Sequence, residues 1–388
     1  MTRVTDSRFS AISLMSRALV LVALLLMPSI ARAQIDTDAK YVYIVDAKTG
    51  TVLMDKGGEE RMAPASMSKI MTAYLVFDQL KQGKLSLTDE LTVSEKAWRM
   101  GGSKMFVPLG AHVKVEDLIR GMLIQSGNDA CIVLAEGIAG SEEAFALMMN
   151  KKAGDLGLTG SHFANSNGWP DPGDYMTAKD LSTLALHTIR DFPEYYHYFS
   201  EKEFVYNGIK QGNRNPLLYK TVGADGLKTG HTDESGFSLT ASVVRGEQHI
   251  IAVMSGMKSM KNRAQDTDRV IDWAFREFGN YALFKQGDTV DEADVWLGVK
   301  NKVPLVAARD VAVTLPKRLR KDMKVTVTYD NPIAAPIAAG QTVGKLVISA
   351  PEVPPVEVPL VTGAAVDRLG PMGRLGTAVA QLVLGSKR

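Results

Sequence analysis

The 388-residue sequence predicts an α+β protein in which a sheet with a block of helices is followed by a small all-β, sandwich-like unit. Three observations carry that prediction. Two β-branched and aromatic runs flank a Gly-containing turn near residue 50. Apolar residues then recur at helical steps of three and four in several segments between residues 66 and 190. Beyond about Lys285, short β-branched runs alternate with Pro, Gly, Asn and Asp at regular spacing. The length itself favours two domains over one core.

The elements follow in order. Arg3, Arg8 and Arg17 precede an apolar run from Ala18 to Met27, then Pro28 and Ala31-Arg32-Ala33. A basic region, a short apolar region and an A-x-A site read as a signal peptide, residues 1–33. The apolar run is about half the ~20 residues that a membrane span needs. Removing its four Arg and one Asp takes the chain from +2 to near −1. With a pI near 8.4 and no basic stripe, nucleic acid is not an expected partner. The single Cys131 lies in an apolar run and reads as a buried, inert thiol, so the core rather than disulfides must hold an exported fold.

Lys40 to Asp46 reads as a strand, Ala47-Lys48-Thr49-Gly50 as a turn and Thr51 to Met54 as the returning strand. From Ser66 onward Ile70, Ala73, Tyr74 and Phe77 mark a helix, with Pro64 at its start. Val113 to Ser126 reads as a helix with Val115, Leu118, Ile119, Met122 and Leu123 on one stripe. Gly127 ends it, and Asp129 is positioned to cap the next helix, Ala130 to Ile138. Further helices are expected over Glu142 to Leu156 and, capped by Thr177, through Ile189, with a loop from Thr159 to Tyr175 between them. Phe237 to Val244 and His249 to Met254 read as strands, and Arg263 to Phe278 as a closing amphipathic helix. The expected boundaries are 34–284 for the first domain, 285–363 for the β-rich domain and 364–388 for a tail. In that tail Leu369, Met372, Leu375, Val379 and Leu382 recur at helical steps among basic residues, a membrane-surface pattern.

The chemistry centres on Ser66 and Lys69. A spacing of i and i+3 on a helix puts a hydroxyl and an amine on one face, the minimum for an activated nucleophile. S-x-x-K alone is weak evidence, because it recurs at Ser255/Lys258; K-T-G likewise occurs at both 48–50 and 228–230. Ser255 ends a strand-like run, which offers no i,i+3 contact, and Lys48-Thr49-Gly50 is ordinary turn chemistry. Ser66/Lys69, Ser126-Gly127-Asn128 and Lys228-Thr229-Gly230 remain as a set in one domain.

That combination is a signature of penicillin-binding proteins and class A β-lactamases. With S-M-S-K, S-G-N-D-A-C and D-G-L-K-T-G-H-T, the sequence resembles the low-molecular-mass penicillin-binding proteins that are D-alanyl-D-alanine carboxypeptidases. The resemblance covers nearly the whole mature chain, domain order included. It implies a β-lactamase/transpeptidase-like catalytic domain, a periplasmic location facing peptidoglycan, and anchoring by the tail. Peptidoglycan stem peptides ending in D-Ala-D-Ala are the implied substrates and β-lactams the implied covalent inhibitors.

Ser66 would attack and Lys69 would take its proton. Lowering the lysine pKa from 10.4 to about 7 takes roughly 4.6 kcal/mol. Burial and one cation about 4 Å away, worth roughly 4 kcal/mol at an effective dielectric of about 20, suffice. Lys228 is the expected cation. Ser126 would relay a proton towards the leaving amine or orient Lys69, and Asn128 would offer its amide to the substrate backbone. Lys228 and Thr229 would hold the terminal carboxylate, and Gly230 would let the substrate approach the strand. By resemblance, the Ser66 and His231 backbone N–H groups form the oxyanion hole and Arg263 helps to bind the carboxylate, with Arg214 a weaker candidate. No cofactor is expected. The six His show no H-E-x-x-H or other metal-ligand spacing. A class A β-lactamase would need an E-x-x-L-N segment between the second and third motifs, and no glutamate there sits in one. The same motifs would also suit an endopeptidase or transpeptidase acting on cross-links. A non-catalytic wall-binding scaffold would keep the fold, but the intact Ser66, Lys69 and Lys228 argue against it.

Overall fold

The computed structural model describes residues 35–376, so the predicted signal peptide and the distal part of the predicted tail lie outside the described residues. Strands β1 (Tyr41–Asp46) and β2 (Val52–Lys56) form the expected hairpin. The Asp46 carboxylate accepts from the Lys48 and Thr49 N–H groups and from the Thr49 hydroxyl, which makes the first K-T-G a side-chain-capped turn. Ala65–Ser68 is a 3-10 turn that leads into α1 (Lys69–Lys81), where Ile70, Ala73, Tyr74 and Phe77 are all buried.

Strand β3 (Glu90–Thr92) and helix α2 (Glu95–Arg99) follow, and β4 (His112–Lys114) pairs with β3. The helix expected from Val113 therefore starts two residues later, as α3 (Val115–Leu123), with its predicted stripe buried. Helix α4 (Asn128–Ala139) corrects a second expectation. Asp129 does not cap it but sits inside its first turn, and the N-cap position is Gly127. The Asp129 carboxylate instead accepts from the N–H groups of Met105, Phe106 and Val107, tying a distant loop to the helix. Helices α5 (Glu142–Asp155) and α6 (Ala178–Asp191) are capped by Ser141 and Thr177, each hydroxyl accepting from the N–H three residues on.

A small hairpin, β5 (Glu203–Tyr206) and β6 (Ile209–Gly212), and the single turn α7 (Leu217–Lys220) precede the return to the main sheet. Strands β7 (Ala224–Thr232), β8 (Gly236–Arg245) and β9 (Gln248–Met257) complete it in the order β2-β1-β9-β8-β7, antiparallel throughout. Consecutive residues of β8 and β9 are buried, so both faces are covered. Helix α6 packs on β9 and β1, and α8 (Met260–Glu277) on β8 and β9.

Beyond α8 the chain is largely strand. Phe278–Phe284, expected within the first domain with Phe278 closing its last helix, is strand β10. It pairs with β13 (Val311–Pro316), so its hydrogen bonds belong to the β-rich unit. Strands β11 (Thr289–Trp296), β12 (Lys302–Ala307), β14 (Lys324–Tyr329), β15 (Ile333–Ala334), β16 (Thr342–Ala350) and β17 (Val353–Thr362) form a second sheet, ordered β14-β16-β17-β12-β11-β15. Val313, Leu315, Leu346, Ile348, Val358 and Leu360 pack between the two sheets. Residues 371–376 of the tail are helical, with Met372 and Leu375 exposed.

Candidate active site

The turn that carries Ser66 is built under constraint. Ala65 has φ of 50°, a left-handed value that costs a non-glycine residue free energy and needs surrounding structure to hold it. Two glycines supply the room. A Cβ on Gly168 would fall 1.9 Å from the Ala65 carbonyl oxygen, and one on Gly230 would fall 2.9 Å from that of Pro64. Gly230 therefore makes space for the turn that carries Ser66, which is a different role from the close substrate approach expected of it. In 3-10 geometry residues three apart eclipse. Ser66 and Lys69, at the turn and its end, are stacked by that geometry, and Lys69 Nζ lies 2.8 Å from Ser66 Oγ.

Lys69 is fully buried and has three polar neighbours: Ser66 Oγ, Asn128 Oδ1 at 2.8 Å and the Asn167 carbonyl at 2.5 Å. An ammonium donates to all three. A neutral amine keeps two donors, which the Asn128 and Asn167 oxygens accept, and its lone pair then faces Ser66. Burial pulls Lys69 down from 10.5 to about 8, with Arg214 adding to the effect. Lys228 is pushed well below its usual value by burial, then by Lys69 and Arg214. The lever expected on Lys69 is burial together with the Lys228 charge; burial is the largest cause, and the cation that lowers Lys69 is Arg214, whereas Lys69 itself lowers Lys228.

A cavity of about 380 Å³ opens over Ser66, and Ser126, Thr229, Gly230, His231, Arg214 and Arg263 line it. Ser126 reaches it from a left-handed residue, φ 65°, between α3 and α4, and its hydroxyl has no hydrogen-bond partner among the described residues. Thr229 and Lys228 sit on opposite faces of β7 by strand alternation. Lys228 lies buried behind the cavity rather than in its wall, donating to the Thr229 carbonyl at 3.1 Å. The Asn128 amide is partly committed: Nδ2 donates to the Gly101 carbonyl at 3.0 Å, leaving one N–H. The His231 ring stacks on Phe237 at 3.9 Å. Arg263 is buried, and burial and Arg214 lower it to about 10. Among the described residues Lys69, Lys228, Arg214 and Arg263 form no ion pair, so four basic groups converge on a cavity whose lining holds no carboxylate.

Sequence reasoning missed the support beneath Lys69. Asn165 Oδ1 accepts from the N–H groups of Asn167, Gly168 and Trp169, folding that loop tightly. Glu142 accepts from the Ser166 N–H and hydroxyl and pairs with Lys96 at 2.9 Å. Asn165-Ser166-Asn167-Gly168 is turn-rich in sequence, but nothing in it points to a lysine nearly a hundred residues away. No group of His, Cys, Asp and Glu suited to a metal occurs among the described residues.

Comparison with known proteins agrees with this geometry. A family model described as D-alanyl-D-alanine carboxypeptidase matches residues 28–259, and one described as the C-terminal domain of penicillin-binding protein 5 matches residues 278–368. The chain is 40% identical to D-alanyl-D-alanine carboxypeptidase DacC of Escherichia coli over 317 residues, 80% of this chain and 79% of the relative. It is 38% identical to DacA of Haemophilus influenzae over 315 residues, 80% of each. The crystal structure of penicillin binding protein 5 from Haemophilus influenzae superposes with a TM-score of 0.81 at 36% identity, covering 87% of this chain and all of that one. A serine–lysine pair on a 3-10 turn, a basic cavity above it and a matching β-rich domain behind it have one common source: the chain belongs to the D-alanyl-D-alanine carboxypeptidase family of serine peptidases.

Proposed function

We propose that this protein is a serine DD-carboxypeptidase that removes the terminal D-Ala from peptidoglycan stem peptides, with Ser66 as nucleophile. The observation that carries the reading is the three-way environment of Lys69, which leaves a lone pair for Ser66 once the amine is neutral. Two neighbouring ammoniums in one buried site disfavour double protonation. A substrate carboxylate in the cavity, met by Thr229, Arg214 and Arg263, favours the proton on Lys228 and leaves Lys69 free as the base. Ser66 then attacks the penultimate carbonyl, and the developing oxyanion takes the Ser66 and His231 N–H groups. Ser126 passes the proton to the departing D-Ala amine. Water finally hydrolyses the acyl-enzyme. β-Lactams acylate the same serine.

Export by residues 1–33, a periplasmic site of action and surface anchoring by residues 364–388 belong to the same reading. So does a catalytic domain that ends with α8 near residue 277, because β10 pairs only with β13 among the described strands. Weak β-lactamase action has less support, since Glu142 is engaged with Ser166 and Lys96. The test is intact-mass analysis after incubation with benzylpenicillin. One penicilloyl adduct, mapped to Ser66 and absent in Ser66→Ala, is expected; an adduct on Ser66→Ala would overturn the assignment.

A further inference from the structure

Two loops meet the Asn128 and Lys69 side chains, one holding Gly101-Gly102-Ser103 and the other Asn165 to Trp169. The Trp169 indole rests on the glycines while remaining 45% exposed. A Cβ on Gly102 would come within 2.9 Å of both the indole Cζ3 and Asn128 Nδ2, and one on Gly101 within 3.5 Å of the indole Cη2. The indole and the Asn128 amide thus meet in the space that the missing Gly102 side chain leaves. The amide there is tied on both sides. The Gly101 carbonyl accepts from Asn128 Nδ2, and Asn128 Oδ1 accepts from Lys69.

The indole is itself held from behind. The Trp169 N–H donates to Asn167 Oδ1 at 2.8 Å and Asn165 Oδ1 at 3.0 Å, and its carbonyl accepts from Asn165 Nδ2 at 2.9 Å. Asn167 also supplies the carbonyl that receives Lys69. A large apolar ring left half in water, on a backbone this firmly fixed, has its packing role on the inner side. Gly102 takes φ +73°, and the room a side chain would need there is filled by the indole and the amide.

We infer that Trp169 is a positioning residue: its indole fills the space over Gly102 beside the Asn128 amide and so fixes the amide that holds the Lys69 amine against Ser66. The inference rests on the reading of Ser66 and Lys69 as the acylating pair. Without the indole that space opens, the Asn128 amide gains room to turn away from the Gly101 carbonyl, and the amine drifts from the serine. A misplacement of about 1 Å at a reacting pair can cost about 100-fold in rate.

The test measures acylation of the full chain by a fluorescent penicillin over a range of concentrations, separating the limiting rate from the half-saturating concentration. Trp169→Ala lowers the limiting rate by about 10- to 100-fold with the half-saturating concentration unchanged. Trp169→Phe, which keeps a ring over the glycines, recovers most of the loss. In an Asn128→Ala background Trp169→Ala adds less than about twofold, because residues that act through a shared group are not additive. A parental limiting rate in Trp169→Ala overturns the inference. So does a full Trp169→Ala loss that persists in the Asn128→Ala background, or a change confined to half-saturation, either of which would mean that the indole touches the penicillin itself. If circular dichroism shows that Trp169→Ala does not fold, Trp169→Leu takes its place in the same cycle. A parent that is not labelled removes the proposed function and this inference together; a labelled parent with an unaffected variant removes only the inference.

Discussion

The proposed chemistry turns on Lys69, whose three polar neighbours match the three positions of an amine nitrogen. In that proposal its neutral form is the competent one, and burial brings that form within reach by lowering the amine from 10.5 to about 8. The acylation rate constant is therefore expected to rise with pH along a limb centred near 8. A limb centred near 10, or a flat profile between about 6 and 9, contradicts the assignment of Lys69 as base; stopped-flow acylation over that range is the measurement. The sign for stability follows from the same depression. The native state binds fewer protons than the unfolded state between about 8 and 10.5, so this group's cost is full below that window and fades as pH rises through it. The pairing of Ser66 with Lys69 is legible from spacing alone. The contribution of Asn167 is not, because a backbone carbonyl carries no residue identity. Lys228 is legible as a cation near the site but not as one buried behind the cavity wall.

At the level of elements, helices are easier to read than the segments between them. Amphipathic stripes such as Val115 to Leu123 report burial directly, and Ser or Thr caps use only local bonds. Asp129 misleads because a carboxylate just after Gly127 is good capping chemistry, whereas its real partners, Met105 to Val107, come from a loop more than twenty residues back. The segment Thr159 to Tyr175 is recognisable as a loop, yet its work is tertiary: it carries Asn167 under Lys69 and Gly168 against Ala65. Near its end Asp174 is buried beside Ser68, with one carboxylate oxygen unpartnered, and burial raises it from 3.8 to about 7. A raised carboxyl favours the native state at low pH. Between about 4 and 7 the native state holds a proton that the unfolded state releases, so stability falls as pH rises, by at most about 4 kcal/mol. Asp174→Asn removes that cost. In calorimetry the variant should unfold at a higher temperature than the parent at pH 8, with the gap closing towards pH 4. A gap constant across that range would mean that Asp174 does not titrate there.

Across the whole molecule, the two parts meet at the first K-T-G turn: the Thr49 hydroxyl is 2.6 Å from that of Thr314 in β13, and the Thr314 hydroxyl also donates to Asn280 in β10. Alternating short strands make the all-β character of the second part readable from sequence. The allegiance of β10 is not, because Phe278–Phe284 follows a helix without a break in pattern, and pairing with β13 across the intervening strands decides it. Among the described residues no helix is long and apolar enough to cross a membrane. The proposed anchor is surface association by the tail: deleting Arg368 to Arg388 should release the protein from sedimented membranes while penicillin labelling of Ser66 is kept; unchanged sedimentation would refute the anchor. The central claim is tested most directly by release of free D-Ala from a short peptide ending in D-Ala-D-Ala, with the parent and Ser66→Ala side by side. Release by the parent and none by the variant is the predicted result. No release by either, or equal release by both, would contradict a serine DD-carboxypeptidase centred on Ser66.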